Sequence, residues 1–154
     1  AGVGYLGWRF GPTALDLWKG GYFSDVEMRQ YQGTSKENLK ALYTAMMLYH
    51  ESEGQFPEAS GWMDAISNYL RTADMDKEQA LKKLKRPDLA DAPDAYGYAM
   101  NDAAGAKYKD DIPNPARTAL TFESRDTAWN AHGDPKSAPK GNQAVSVEGG
   151  ILRL

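Results

Sequence analysis

Between Thr34 and Gly54 apolar side chains recur at Leu39, Leu42, Tyr43, Met46 and Tyr49, the i, i+3, i+4, i+7 and i+10 spacing of one helical stripe. Lys36, Glu37, Lys40, Thr44 and Glu51 take the other face, so this helix must lie on a core rather than stand alone. Thr34 with Glu37 makes a capping-box pair and Gly54 is the natural stop, which sets the predicted helix at 34–53. Pro57 biases Phe56 toward extended geometry and turns the chain away. Ser60 is then placed to cap a second amphipathic helix whose buried edge is Trp62, Ile66, Tyr69 and Leu70.

Upstream, Pro12 at a first helical position, the apolar Leu15, Leu17 and Trp18, and the stop at Gly20-Gly21 predict one or two turns of helix. Ser24 and Glu27 form another capping-box pair, predicting a separate short helix that ends by Gly33. Residues 1–33 carry Tyr5, Trp8, Phe10, Trp18, Tyr22, Phe23 and Tyr31, too aromatic a set for an unstructured leader. They read as an aromatic-rich N-terminal segment, distinct from a globular domain over 34–154.

The pattern changes twice further on. From Asp74 to Asp94 the chain is densely charged with both signs, and Lys82, Lys83, Lys85 and Arg86 close a short helix that Pro87 ends. Beyond Asp94 large and small residues alternate in Tyr96-Gly97-Tyr98-Ala99-Met100, and Arg117 to Phe122 follows Pro113 and Pro115 as a second strand candidate. Ala144 to Val147, the turn Glu148-Gly149-Gly150, and Ile151 to Leu154 make the clearest hairpin in the chain. Helices first and strands last argue an α+β fold, with a long amphipathic helix packed on a small antiparallel sheet that ends in this hairpin.

Composition narrows the chemistry. The 154 residues include no Cys, which removes disulfides, thiolate metal sites, iron–sulfur clusters and cysteine nucleophiles from consideration. A formal net charge of −3 gives no electrostatic footprint for nucleic acid, and the acids around the Lys82–Arg86 run cancel its field. Roughly 20 apolar residues are needed to span a bilayer, and no stretch approaches that. The segment Ala1 to Phe10 is apolar apart from Arg9, and would suit the last turns of an anchor.

Candidate motifs are few. Gly2-Val3-Gly4-Tyr5-Leu6-Gly7 satisfies the dinucleotide-binding spacing, but no strand precedes it and no βαβ unit surrounds it. The histidines are His50, near the end of the long helix where the dipole favours a charged or polar imidazole, and His132, in the loop Asn130-Ala131-His132-Gly133-Asp134. There is no HExxH and no GxSxG elbow. Asp110, Asp111, Asp126 and Asp134 lie in predicted loops and are weak candidates for calcium, since EF-hand spacing is absent.

The run Ser35-Lys36-Glu37-Asn38-Leu39-Lys40-Ala41-Leu42 through Tyr49-His50-Glu51-Ser52-Glu53-Gly54-Gln55-Phe56-Pro57 resembles the region after the N-terminal helix core of type IV pilin-like proteins, including type II secretion pseudopilins. Leu84-Lys85-Arg86-Pro87, Tyr96 to Asn101, Pro115 to Ser124, His132-Gly133 and Gly141 to Leu154 are similar to later elements of that family in the same order. The resemblance covers residues 34 to 154. The family's hydrophobic N-terminal helix does not match residues 1–33, and the hairpin turn has Glu148-Gly149-Gly150 where relatives read Asp-Gly-His. Many relatives carry a Cys pair at the positions held here by Ser35 and Arg86.

The resemblance implies a structural or protein-interaction subunit, not an enzyme, with no cofactor. It implies an extracytoplasmic home in the periplasm or at the cell surface, and a membrane anchor supplied by a segment before Ala1. Its partners would be other proteins, pilin-like or secretion-system subunits among them, with no nucleic acid. The contact surfaces would be the loop Lys109 to Asn114, the loop Thr127 to Asn142 and the N-terminal segment. Two other readings stand beside it: a small enzyme or ligand-binding domain using His132, Asp134 and Asp126, and a calcium-stabilised binding module.

Overall fold

The computed structural model describes residues 25–71 and 76–154. The predicted first helix, the Ser24–Glu27 cap, the glycine motif and most of the N-terminal aromatics lie outside those residues. Contacts divide the chain into Ala1–Thr34 and Ser35–Leu154, and the sheet and its core belong to the second unit.

The first helix, α1, runs unbroken from Asp25 to Glu53 over 29 residues. It therefore replaces the two expected elements, a short helix ending at Gly33 and a long one starting at Thr34. Gly33 costs a helix only about 1 kcal/mol relative to Ala, which weakens but does not break it. The stripe also continues backward, with buried Tyr31 one turn before buried Ser35. From there Leu39, Leu42, Ala45 and Met46 are fully or almost fully buried, and the helix closes where Gly54 N donates to His50 O at 2.7 Å.

After α1, Phe56 N donates to Lys107 O and Ala106 N to Pro57 O, tying this turn to a distant one. Helix α2 (Trp62–Ile66) is flanked by single 3₁₀ turns at Ala59–Gly61 and Ser67–Tyr69. Ser60 does not cap it. Gly61 holds the N-cap position without a side-chain bond, and the cap comes from Asn130, whose Oδ1 accepts from Met63 N at 2.7 Å and Asp64 N at 3.2 Å. Helix α3 (Lys77–Lys82) starts at a full capping box between Asp76 and Gln79.

Five strands follow: β1 (Tyr98–Asn101), β2 (Ala119–Glu123), β3 (His132–Gly133), β4 (Gln143–Ser146) and β5 (Ile151–Arg153). Their spatial order is β3-β1-β2-β4-β5. The β1–β2, β2–β4 and β4–β5 pairs are antiparallel, but β3 lies parallel to β1, so the sheet is mixed and not antiparallel as expected. The two residues of β3 are too short to alternate detectably; they join the edge because the chain, having crossed to cap α2 at Asn130, returns beside Met100 and Asn101.

The two faces of the sheet differ in grain. Tyr98, Met100, Leu120, Val145 and Val147 share one buried cluster with Leu39, Leu42, Met46 and Trp62, the main core under α1. On the other face Ala99, Ala119, Phe122 and Ala144 form a thinner cluster, with Ala138, Leu152 and Leu154 against it. The β4–β5 turn is held by Ser146 Oγ, which accepts from Glu148 N and Gly150 N. Gly149 sits at φ +93, and a Cβ there would lie 2.8 Å from the Tyr43 ring, so only glycine lets this turn rest on α1.

Candidate functional site

The predicted contact loop Thr127 to Asn142 begins as a clamp on α2. Trp62 Nε1 donates to Ala131 O at 2.7 Å, Trp129 Nε1 to Asp64 Oδ1 at 2.9 Å, and Asn130 Nδ2 to Asp64 Oδ2 at 2.8 Å. Asn130 adopts φ +59, a left-handed conformation that asparagine tolerates better than most residues. The Trp129 ring meets Tyr96 edge-on at 5.0 Å. This stretch packs against α2, and His132 just beyond it is exposed.

His132 Nδ1 lies 2.6 Å from Asp102 Oδ1, an acid that sequence reasoning does not single out. The two side chains are 43% and 56% exposed, so the pair stands at the surface and not inside a closed pocket. Asp134, grouped with His132 and Asp126 in the ligand-binding reading, caps the turn Pro135–Ser137 by accepting from Lys136 N at 2.9 Å. Asp126 accepts from Ala128 N at 2.9 Å in its own turn. Ser137 and Lys140 have Ser-x-x-Lys spacing, but the Ser137 hydroxyl donates to Asp134 O at 2.7 Å. The acids proposed for a metal are thus dispersed: Asp110 and Asp111 sit in the turn Lys109–Asp111, and no group of three or more His, Cys, Asp or Glu converges among the described residues.

His50 departs from expectation in the opposite sense. It is buried, and its Nε2 accepts from Lys109 N at 3.0 Å, which requires the neutral ring with its proton on Nδ1. Burial first, and the Lys109 charge second, lower its pKa below the usual 6.5, against the smaller opposing pull of Asp110 and Glu51. Phe56 and Tyr108 close around the ring at 4.9 and 5.0 Å. The dipole that would favour a cation at this helix end is overridden by burial and by the bond from the 109 amide.

The most concentrated polar chemistry lies inside the core. Ser35 Oγ donates to Glu123 Oε2 at 2.5 Å, and with that proton committed, the Tyr98 hydroxyl is the donor to Ser35 Oγ at 2.9 Å. Glu123 Oε1 accepts from Gln143 N at 2.7 Å, so both carboxylate oxygens are used. Burial pushes the Tyr98 hydroxyl well above its usual pKa of 10 and keeps it a proton donor, while the Ser35 contact pulls the other way. Arg86 acts on the same hydroxyl through its charge and is itself buried against Asp88, with Nε 3.3 Å from Oδ1. Lys85 points elsewhere: its Nζ donates to Ala92 O and lies over the Tyr96 ring. The last two cations of the 82–86 run are therefore engaged inside the fold.

The signal for this cluster is present in the sequence but ambiguous, since Ser35, and Asn38, which is buried and donates through Nδ2 to Lys85 O at 3.0 Å, stand on the helix where a polar surface residue would be equally ordinary. No helix among the described residues is long and apolar enough to cross a membrane. Compared with protein-family models, with curated proteins and with solved structures, the chain matches none.

Proposed function

We propose that this chain is the globular part of a type IV pilin-like or pseudopilin-like subunit, a structural protein that works through contacts with other proteins and not through turnover. The observation that carries the reading is the tie between α1 and the extended element near Ser35 and Arg86: Ser35 bonds the Tyr98 hydroxyl, and Asn38, on the same helix, donates through Nδ2 to Lys85 O at 3.0 Å, next to Arg86 in the chain. Ser35 and Arg86 are the two positions where the resembling family places a disulfide between the helix and the extended element after it. A buried hydrogen-bonded cluster here does the work of a cross-link, fastening α1 to β1 and β2. A long helix on one sheet face followed by a terminal hairpin supports the same arrangement.

On this reading the protein is extracytoplasmic and anchored, takes no cofactor, and presents Lys109 to Asn114 and the segment from His132 onward to its neighbours. Catalysis around His132 is the weaker reading, because the His132–Asp102 pair is open to water.

The test is location and company. In its own cells the tagged protein is expected in the envelope fraction, digested by protease added outside the inner membrane, and crosslinked to pilin-like neighbours. A protein found wholly in the cytosol, protected from protease and without such adducts, overturns the proposal.

A further inference from the structure

On the sheet face away from α1 lies an open groove of about 710 Å³. Its floor is apolar, made of small side chains at Ala119 and Ala138 together with Leu154. Three exposed cations stand around it, Arg117, Lys136 and Lys140. Among the described residues the side chains of these three make no hydrogen bond and no ion pair. Two carboxylates also line the groove: Asp102, bonded by His132, and Asp134, which accepts from the backbone amide of Lys136.

A chain of net charge −3 thus places three cations against two carboxylates around one apolar trough, with none of the three cations in an ion pair. The small floor residues matter as much as the charge, because they let a backbone approach the sheet closely, while the three cations in the lining complement more than one anionic group on the same segment. Compact anions would use one cation and leave the floor wet. Nucleic acid would meet two carboxylates beside these cations on a molecule of net negative charge.

We propose that this groove binds an extended acidic peptide segment of a neighbouring protein, with aliphatic side chains on the alanine floor and carboxylates at Arg117, Lys136 and Lys140. The inference rests on the reading of the chain as an interaction subunit and names the chemistry of its partner. Complementary charge at an open rim chiefly sets encounter rate and selectivity, so the contact is salt-sensitive and modest in affinity.

The experiment titrates the purified chain with a short fluorescent peptide of alternating glutamate and valine held extended by flanking prolines, followed by anisotropy. Its glutamine counterpart, a single-stranded oligonucleotide and anionic lipid vesicles are run beside it. The acidic peptide is expected to bind, to weaken as salt is raised, and to lose about tenfold or more in affinity when Arg117→Glu and Lys136→Glu are combined. Arg117→Gln with Lys136→Gln is expected to give an intermediate loss. Both pairs are at exposed positions, and unchanged circular dichroism confirms that the variants fold.

Equal binding of the glutamine peptide, undiminished binding by the reversed variant, absence of binding, or preference for the oligonucleotide or vesicles each overturns the proposal. So does saturable self-association of the chain that these substitutions abolish, which would make a second copy the occupant. Failure here leaves the envelope location standing, whereas a cytosolic protein that still captures the peptide would remove the proposed role and keep the groove.

Discussion

Ser35 and Glu123 are 88 residues apart in the chain and share a 2.5 Å hydrogen bond inside the core. The bond joins the helix to the second strand, and Glu123 extends the connection to β4 through Gln143 N. Buried charge is tolerated only when its oxygens are bonded, and losing a partner is costlier than never having had the pair. Ser35→Ala is expected to cost about 2 kcal/mol and Glu123→Ala about 3 kcal/mol or more, measured by urea unfolding. A change below about 0.5 kcal/mol at both positions would show that the cluster does not fasten the helix.

His50 links stability to acidity. Its folded pKa is lowered, so the unfolded chain binds its proton more readily, and stability is full above the unfolded value of 6.5 and lost as pH falls below it toward the folded value. His50→Leu loses the bond from Lys109 N and is expected to be less stable than the parent near pH 8. The gap should narrow as pH falls through 6.5 toward 5, because only the parent loses stability through this ring. A gap that stays constant or widens over that range would reject the neutral buried histidine.

Asn130 caps a helix from 66 residues away, its Oδ1 taking the Asp64 amide. Asn130→Ala removes the cap and puts at φ +59 a residue that tolerates the left-handed region less well than asparagine, for an expected loss of about 2 kcal/mol. Asn130→Gly relieves only the backbone component, so it should recover about 1 kcal/mol of that loss. Equal stability of the two variants would assign the whole effect to the side chain.

Two glycines separate strain from crowding. Gly54 has φ +83 and open space within 4 Å of where a Cβ would stand, while Gly149 has φ +93 and the Tyr43 ring at 2.8 Å. Gly54→Ala is expected to cost about 1 kcal/mol and Gly149→Ala about 2 to 3 kcal/mol. Trimming the ring with Tyr43→Ala should make the second substitution cheaper, a coupling that a double-mutant cycle reads directly.

The family pairing can be tested on the protein itself. Ser35→Cys with Arg86→Cys is expected to form an intramolecular disulfide in air, seen as the loss of both free thiols without a change in mass on a gel. Persistent free thiols in the folded double variant would end the positional correspondence on which the proposed arrangement rests.

Elements governed by local pattern are legible in the sequence, and those governed by distant partners are not. The stripe Leu39, Leu42, Met46 and the alternation around the Glu148-Gly149-Gly150 turn locate α1's core half and the hairpin correctly. Gly33 misleads because a helix breaker acts by a small energy that a continuing buried stripe outweighs. The parallel strand β3 is hidden because two residues have no period, and its placement follows from Asn130's attachment to α2. At the candidate site His132 stands out in the sequence, but its partner Asp102 precedes it by 30 residues and carries no local sign. His50 misleads for the same reason: the Lys109 amide that fixes its proton lies 59 residues on.

The order of the strands sets a timetable for the ribosome. The stripe of α1 is synthesised first, yet Leu120 and Val145, which cover it, belong to β2 and β4. Strand β1 likewise waits for both its neighbours, one of them parallel and reached only after β2 is complete. Such late pairing slows folding and leaves apolar surface uncovered while the chain is still growing. Until the last hairpin has emerged, the nascent domain is a substrate for chaperones and proteases, and any pause before β4 is made should lower the yield of folded protein.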